Sequence, residues 1–204
     1  VDPGAVGSML WFRDDYSSDS IEALMRKIER SPNLPGIEIP AGSTAFTLWA
    51  ASPDSVGAVT LRAGVRDATG RSGTLELGSL SDVGSEWSAF TATLEPGALV
   101  FNHVEPLTVV SLVLSGTTAA GSAPALFVDD LSAVRADGRE TVVEDFEGPS
   151  RWSLFPAAPG TGDAFELTQE SAHGGATAAR IGLRQGRLDG TRGMGAVAAV
   201  HNGG

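Results

Sequence analysis

The sequence contains no cysteine among its 204 residues, which excludes disulfides, thiol nucleophiles and cysteine-based zinc sites. It also lacks an apolar run near the roughly 20 residues that a membrane-spanning helix needs. The longest apolar candidate, residues 107–114, is short enough to be a strand. No secretory signal peptide is recognisable, and the chain begins with Val1. We therefore expect a soluble segment taken from a longer protein.

Positive charge is scarce as well. The 14 Lys and Arg residues against 25 Asp and Glu give a formal net charge of −11, and Lys27 is the single lysine. No basic cluster interrupts this acidic balance, so neither nucleic acid nor an anionic membrane surface is expected as a partner.

Motifs that carry chemistry are also missing. The histidines His103, His173 and His201 are far apart and form no HExxH or His-x-His pair, which disfavours a zinc site. The sequence has no G-x-S-x-G and no G-x-x-x-x-G-K-[ST], so neither a serine nucleophile elbow nor an ATP-binding loop is expected. The sequence predicts that this chain is not an enzyme.

Aromatic residues make up only 6% of the chain, with four Trp and one Tyr. Trp49 and Trp87 lie in apolar strand-like runs and are expected to fill the core. Trp11 and Trp152 lie near predicted strand ends, which makes them the candidates for exposed ligand-binding rings. A glycosidase would need two suitably spaced carboxylates and a cleft with many aromatic contacts, and the sequence offers too few aromatics for that cleft.

One amphipathic helix is predicted over residues 19–30. Its apolar residues recur at i, i+3, i+4 and i+7: Ile21, Leu24, Met25 and Ile28. Asp19 with Glu22 makes a start similar to a capping box, and Pro32 ends the helix because it disfavours the α conformation in the residue before it.

After Pro35 the apolar pattern changes to a period of two, and turn signals containing Gly, Pro and Asp separate the alternating runs. The pattern predicts strands over residues 36–40, 44–51, 59–67, 72–77, 87–94, 108–115, 125–134, 141–146, 164–169 and 176–183. Many short strands with only one helix indicate a mainly β protein, an antiparallel β-sandwich. The Asp137-Gly138 dipeptide between two alternating runs predicts a hairpin.

Several of these runs together resemble a galactose-binding-like jelly roll of the carbohydrate-binding-module type. The similar features are a strand with a Trp (TAFTLWA), an Asp-x-x-Gly hairpin (RAGVRDATGRSGTLEL), a strand opened by a Trp (EWSAFTATL) and a late strand with Asp-Asp (ALFVDDLSAV). The segment from VVEDFEGPSRW to ARIGL resembles the opening strands of the same fold. The resemblance implies a jelly-roll topology.

The order LWFRDDYS, IEALMRKIER and then the sandwich also resembles the extracytoplasmic insert of bacterial FtsX-like ABC transporter permeases. This resemblance implies a non-catalytic extracytoplasmic domain of a membrane-anchored protein, which transmits motion or binds a partner or substrate outside the membrane. The ATPase subunit would be a separate chain. The alternative is a carbohydrate-binding module of a secreted polysaccharide-active enzyme.

Two domain arrangements fit this order. In the first, residues 1–185 form a single jelly-roll sandwich that includes helix 19–30, and residues 186–204 are a Gly-rich tail. In the alternative, residues 1–139 form a sandwich and residues 140–204 are the truncated start of a second module. We favour the first, because the short segment after the hairpin is too small to bury a core alone.

An acidic cluster surrounds the predicted hairpin: Asp129, Asp130, Glu144, Asp145 and Glu147. Strand alternation places Asp129 on one face with Phe127, Leu131 and Ala133, where an unpaired carboxylate would be costly. The jelly-roll resemblance implies a structural calcium on Asp129 and Glu147, and oxygen ligands are what Ca²⁺ prefers. The other explanation is that Asp129 accepts backbone N–H bonds from a loop or a bond from an Arg.

Overall fold

The protein folds into two antiparallel β-sheets that enclose one apolar core, a β-sandwich. The computed structural model describes residues 36–121, 123–148, 152–155, 164–183, 185 and 198–202. Its strands are β1 (Ile37–Ile39), β2 (Ser43–Ala51), β3 (Gly57–Arg66), β4 (Ser72–Ser79), β5 (Ser88–Thr93), β6 (Leu107–Thr118), β7 (Ala125–Arg135), β8 (Glu140–Glu144), β9 (Trp152–Phe155), β10 (Ala164–Thr168), β11 (Ala178–Gly182) and β12 (Ala198–Asn202).

The two sheets each contain six strands. The first has the order β4-β3-β6-β12-β9, and β1 pairs with β6 beside this path. The second has the order β10-β11-β7-β2-β5, and β8 pairs with β7 beside it. The mainly β, antiparallel architecture predicted from the period of two is therefore confirmed, and all ten of the predicted strand runs contain a strand.

The core lies between the sheets and is built from alternate residues of the long central strands. Phe46 and Leu48 of β2 and Leu112 and Leu114 of β6 are at most 1% exposed. Residues from the later part of the chain join the same cluster, including Ile181 of β11. Burial of this apolar area, worth about 25 cal/mol per Å² removed from water, is the main stabilising contribution to such a fold.

The predicted hairpin is confirmed. β7 and β8 pair antiparallel, with Ala133 opposite Thr141. The turn is closed by Gly138 N–H donating to the Arg135 carbonyl at 2.9 Å, and Arg139 N–H donates to Asp137 Oδ1 at 3.0 Å. Gly138 has a φ of 78°, a left-handed conformation that glycine adopts without steric cost.

Two strands were not predicted, β9 and β12. The tail prediction over residues 186–204 does not hold for Ala198–Asn202, because this segment pairs with β6 on one side and β9 on the other. The run is a short stretch of Ala and Val without a period of two, so alternation could not reveal it.

The helix predicted over residues 19–30 lies outside the residues that the structure describes. The described residues form strands and turns, and they include no helix long and apolar enough to cross a membrane.

Candidate functional site

The site forms where strand β7 changes its neighbour. Residues Ala125 to Val128 of β7 pair with β11, whereas Leu131 to Val134 pair with β8 along the same edge. Asp129 and Asp130 lie between these two pairings, and Asp130 has a φ of 45°, which is uncommon for a residue with a side chain. The pairing of β7 with β2 shifts register at the same place. The chain therefore makes a β-bulge at Asp129-Asp130.

The bulge places Asp129 and Leu131 on opposite faces of the sheet. Ala50 and its partner Val128 belong to the core cluster, so the neighbouring pair Trp49 and Asp129 lies on the opposite, outer face. Leu131 belongs to the core, because the extra residue of the bulge reverses the alternation. The predicted grouping of Asp129 with Leu131 and Ala133 on one face was therefore wrong.

Asp129 is nevertheless fully buried, at 0% exposure, because the loop before β11 covers it. Its Oδ2 accepts N–H bonds from His173 at 2.8 Å and Gly174 at 3.1 Å, and its Oδ1 accepts the N–H of Asp130 at 2.8 Å. These contacts agree with the explanation that Asp129 accepts backbone N–H bonds from a loop. Asp129 accepts backbone N–H bonds and so fixes the 173–177 loop onto the bulge.

Burial raises the pKa of Asp129, and the negative charge of Asp130 adds to this effect. The N–H bonds from His173, Gly174 and Asp130 act in the opposite direction without cancelling it. The buried carboxyl is thus easier to protonate than an ordinary aspartate, as expected where burial disfavours the charged form.

Glu147 holds the other end of the same loop. Its Oε1 accepts N–H bonds from Ala176 at 2.6 Å and Thr177 at 2.7 Å. A side chain at position 175 would collide with this carboxylate, and Gly175 has a φ of 61°. Glycine is therefore favoured at position 175, where the loop passes over Glu147.

An aromatic cluster lies on the outer surface beside this loop. The His173 ring stacks on Trp49 with centroids 3.9 Å apart and planes 15° apart, and Trp87 approaches the same ring at 5.8 Å with planes at 65°. His173 Nδ1 lies 2.7 Å from Asp130 Oδ2, so a carboxylate fixes the ring orientation. We call Trp49, Trp87, Asp130 and His173 the His173 cluster.

The structure reverses the predicted roles of the tryptophans that it describes. Trp49 and Trp87, expected in the core, are half-buried on the outer face. Trp152, expected to be exposed, is 5% exposed, packs near Phe146 and donates from Nε1 to Glu144 Oε2 at 3.1 Å. Trp11 lies outside the described residues.

The two predicted calcium ligands, Asp129 and Glu147, both bind the 173–177 loop, but through different backbone N–H groups. Among the described residues, no group of three or more His, Cys, Asp or Glu side chains is placed to hold a metal ion. The observed N–H bonds account for both carboxylates without a cation, and calcium binding stays a prediction.

Sequence reasoning missed the His173 cluster, although one signal was available. The sequence interpretation of the acidic residues offers a calcium site or, for Asp129, a bond to backbone N–H groups or to an Arg, and neither explanation places an aromatic ring beside His173. The bulge that brings Trp49 and Asp129 opposite each other has no sequence signature apart from two consecutive aspartates in an apolar strand.

Comparison with known proteins gives no match to a family model, to a curated protein or to a solved structure.

Proposed function

We propose that this chain is a non-catalytic domain that binds a partner or substrate outside the membrane, as the extracytoplasmic domain of an FtsX-like ABC transporter permease. The ATPase subunit would be a separate chain, and the domain would receive or transmit the motion driven by it. The permease assignment rests on the resemblance of residues 8–183 to that class of insert.

The binding role is supported by the contacts of the carboxylates around His173, which hold a surface loop and an aromatic ring in place. Asp129 and Glu147 accept backbone N–H bonds and hold a loop, and Asp130 orients the His173 ring. Each of these contacts stabilises a surface. A rigid surface with two half-buried indoles suits recognition, since aromatic side chains supply large contact area at little entropic cost.

We also propose that the sandwich is a jelly roll and that the strands after the hairpin, including β12, belong to the same domain as the earlier strands. The supporting observation is that β8 and β11 both pair with β7, while Ile181 and Phe146 share the core with Leu48. A truncated second module would have left this later segment with few contacts to the earlier strands.

The second candidate function is that of a carbohydrate-binding module. It is favoured by the half-buried Trp49 and Trp87 on the outer sheet face, where a sugar ring could stack. A neutral oligosaccharide that shifts the indole signals of both residues would support this alternative.

The location is tested with a single engineered thiol, because this chain has no cysteine. Val100 is 98% exposed, so Val100→Cys in the full parent protein, in a background free of other cysteines, provides one accessible site. We expect a membrane-impermeant maleimide to label it on intact cells, in the membrane fraction. Labelling only after lysis would contradict the proposal, and labelled protein in the medium would favour the secreted module.

The matched control is Val65→Cys, since Val65 is 0% exposed in the core. This variant should react only after denaturation. Its labelling on intact cells would mean that the reagent reports unfolded protein.

Calcium binding by Asp129 and Glu147 remains part of the proposal, with a structural role only. A cation that binds the folded state alone would add about 2.7 kcal/mol at a hundredfold excess over Kd. Differential scanning fluorimetry with Ca²⁺ and with chelator tests this. A shift lost in Asp129→Asn supports calcium, and an unchanged melting temperature removes it.

A further inference from the structure

We infer that the His173 cluster is a docking point for an arginine side chain on a basic segment of a partner protein. This inference deepens the proposed function and rests on it, because it names the chemistry by which the domain would bind its partner. It commits to a cationic protein segment as the occupant.

The aromatic part of the cluster provides the first recognition element. Trp87 is half-buried and lies at the edge of the His173 ring, 5.8 Å between centroids. An indole is the aromatic group that attracts a cation most strongly, and a planar guanidinium also stacks on it.

The charge of the cluster provides the second element. The partners of Asp130 and Glu147 within the described chain are backbone N–H groups and the His173 ring, and no Arg or Lys of that part pairs with either carboxylate. Glu86 precedes Trp87 directly and is exposed. A cation beside Trp87 and His173 would therefore approach the Asp130 carboxylate, which no Lys or Arg of the described residues neutralises.

Elsewhere on the second sheet, the chain supplies its own arginine. Arg180 on β11 pairs with Glu166 on β10 at 2.8 Å. The His173 cluster combines carboxylate and indole, and within the described residues no arginine or lysine pairs with its carboxylate. The net charge of −11 would steer a basic partner toward the domain.

Arginine is favoured over lysine by the shape of the cluster. The guanidinium can stack on an indole while its N–H groups bond to a carboxylate, whereas the lysine ammonium is a compact and strongly hydrated point charge. Citrulline has the planar shape of arginine without its charge. A comparison of the two therefore separates the contribution of charge from the contribution of stacking.

The test is isothermal titration calorimetry of the 204-residue chain with three capped glycine-rich peptides that contain arginine, lysine or citrulline at the same positions. We expect the arginine peptide to bind most tightly, the lysine peptide several-fold more weakly, and the citrulline peptide about tenfold more weakly. Raising the salt from 0.15 to 0.5 M should weaken the arginine peptide further.

Substitutions in the His173 cluster test whether the peptide binds there. Trp87→Leu should weaken binding two- to fivefold, the loss expected for an exposed cation–π contact of 0.5–1 kcal/mol. Trp87→Phe should recover part of this loss, and Asp130→Asn should weaken binding while tolerating the left-handed backbone. Glu38→Gln, an exposed carboxylate on the first sheet, is the charge-matched control and should bind as the unmodified chain does.

Equal binding of the arginine and citrulline peptides would overturn the inference, as would a loss of affinity in Glu38→Gln equal to that in Asp130→Asn. If no peptide binds while the Val100→Cys test places the domain outside the membrane, this inference alone fails. If the arginine peptide binds but the thiol is labelled only after lysis, the proposed location fails and the docking site remains.

Discussion

The imidazole of His173 lies flat against the indole of Trp49, with ring centroids 3.9 Å apart and the planes 15° from parallel. The two residues are more than 120 positions apart in the sequence. Trp49 comes from strand β2, and His173 comes from the loop that Asp129 and Glu147 hold in place. The stack therefore depends on the bulge in strand β7, because Asp129 of this bulge holds the loop that carries His173.

The first prediction concerns this pair. A double-mutant cycle with Trp49→Leu and His173→Ala should give a coupling energy of about 0.5–1.5 kcal/mol, the range found for aromatic pairs. Urea denaturation of the four proteins measures it. Additive effects, within about 0.3 kcal/mol, would show that the rings do not interact in solution.

The second prediction concerns Asp129. Asp129→Ala leaves three backbone N–H groups without their acceptor, so it should lower the free energy of unfolding by about 3 kcal/mol. Chemical denaturation at neutral pH is the measurement. Asp137→Ala is the control, because Asp137 is exposed and accepts a single N–H bond in the hairpin turn. Equal effects of the two substitutions would contradict the structural role of Asp129.

The third prediction concerns the buried Asp67, which joins the turn before β4 to the loop before β6. Its carboxylate accepts bonds from Thr69, Arg71 and the Val104 N–H. Burial alone would raise the pKa of Asp67, but the bonds from Thr69, Arg71 and Val104 outweigh burial and hold the pKa well below its usual range. Asp67→Asn removes the charge and one acceptor oxygen, and it should cost about 2 kcal/mol or more at pH 7.

The pH dependence of this effect has a defined sign. Because the pKa of Asp67 is lower in the folded than in the unfolded state, its stabilisation is complete above the unfolded value, about 4, and decreases as the pH falls toward the folded value. The stability difference between the unmodified chain and Asp67→Asn should therefore shrink below pH 4. A difference that stays constant from pH 7 to pH 3 would show that the charge of Asp67 contributes nothing.

The fourth prediction concerns the hairpin turn. Gly138→Ala should destabilise the protein by about 1 kcal/mol, since Gly138 has a φ of 78° while its missing Cβ would meet no atom within 4 Å. Gly84→Ala is the matched control, because that position is also open but does not have a positive φ. Thermal unfolding of both variants compares them, and similar losses in both would contradict the left-handed turn.

The sequence predicted the parts of the fold that depend on local pattern. The period of two located Ser43–Ala51 and Ala125–Arg135, and Asp137-Gly138 identified the hairpin between β7 and β8. The site was not predictable in the same way. The alternation rule assumes an unbroken strand. Because the strand has a bulge at Asp130, the rule placed Leu131 and Ala133 on the same face as Asp129, whereas they lie on the opposite face.

The positions of the tryptophans show a second limit of prediction from the sequence. Trp49 lies in an apolar strand-like run and Trp152 follows the polar Ser150 and Arg151, yet Trp49 is on the outer face and Trp152 is in the core. Burial of an indole depends on which elements pack over it, and the contact between Trp49 and His173 is a tertiary one. The composition did predict that few aromatic residues would be available for any binding surface.

The proposed permease role predicts that the parent protein works with a separate ATPase subunit. The most direct measurement is affinity purification of the full parent protein from detergent-solubilised membranes of its native host, followed by mass spectrometry and an ATP hydrolysis assay. We predict that a nucleotide-hydrolysing subunit is recovered with the parent protein in a constant ratio. Recovery of the parent protein from the medium, or from membranes without any ATPase subunit, would contradict the proposed permease role.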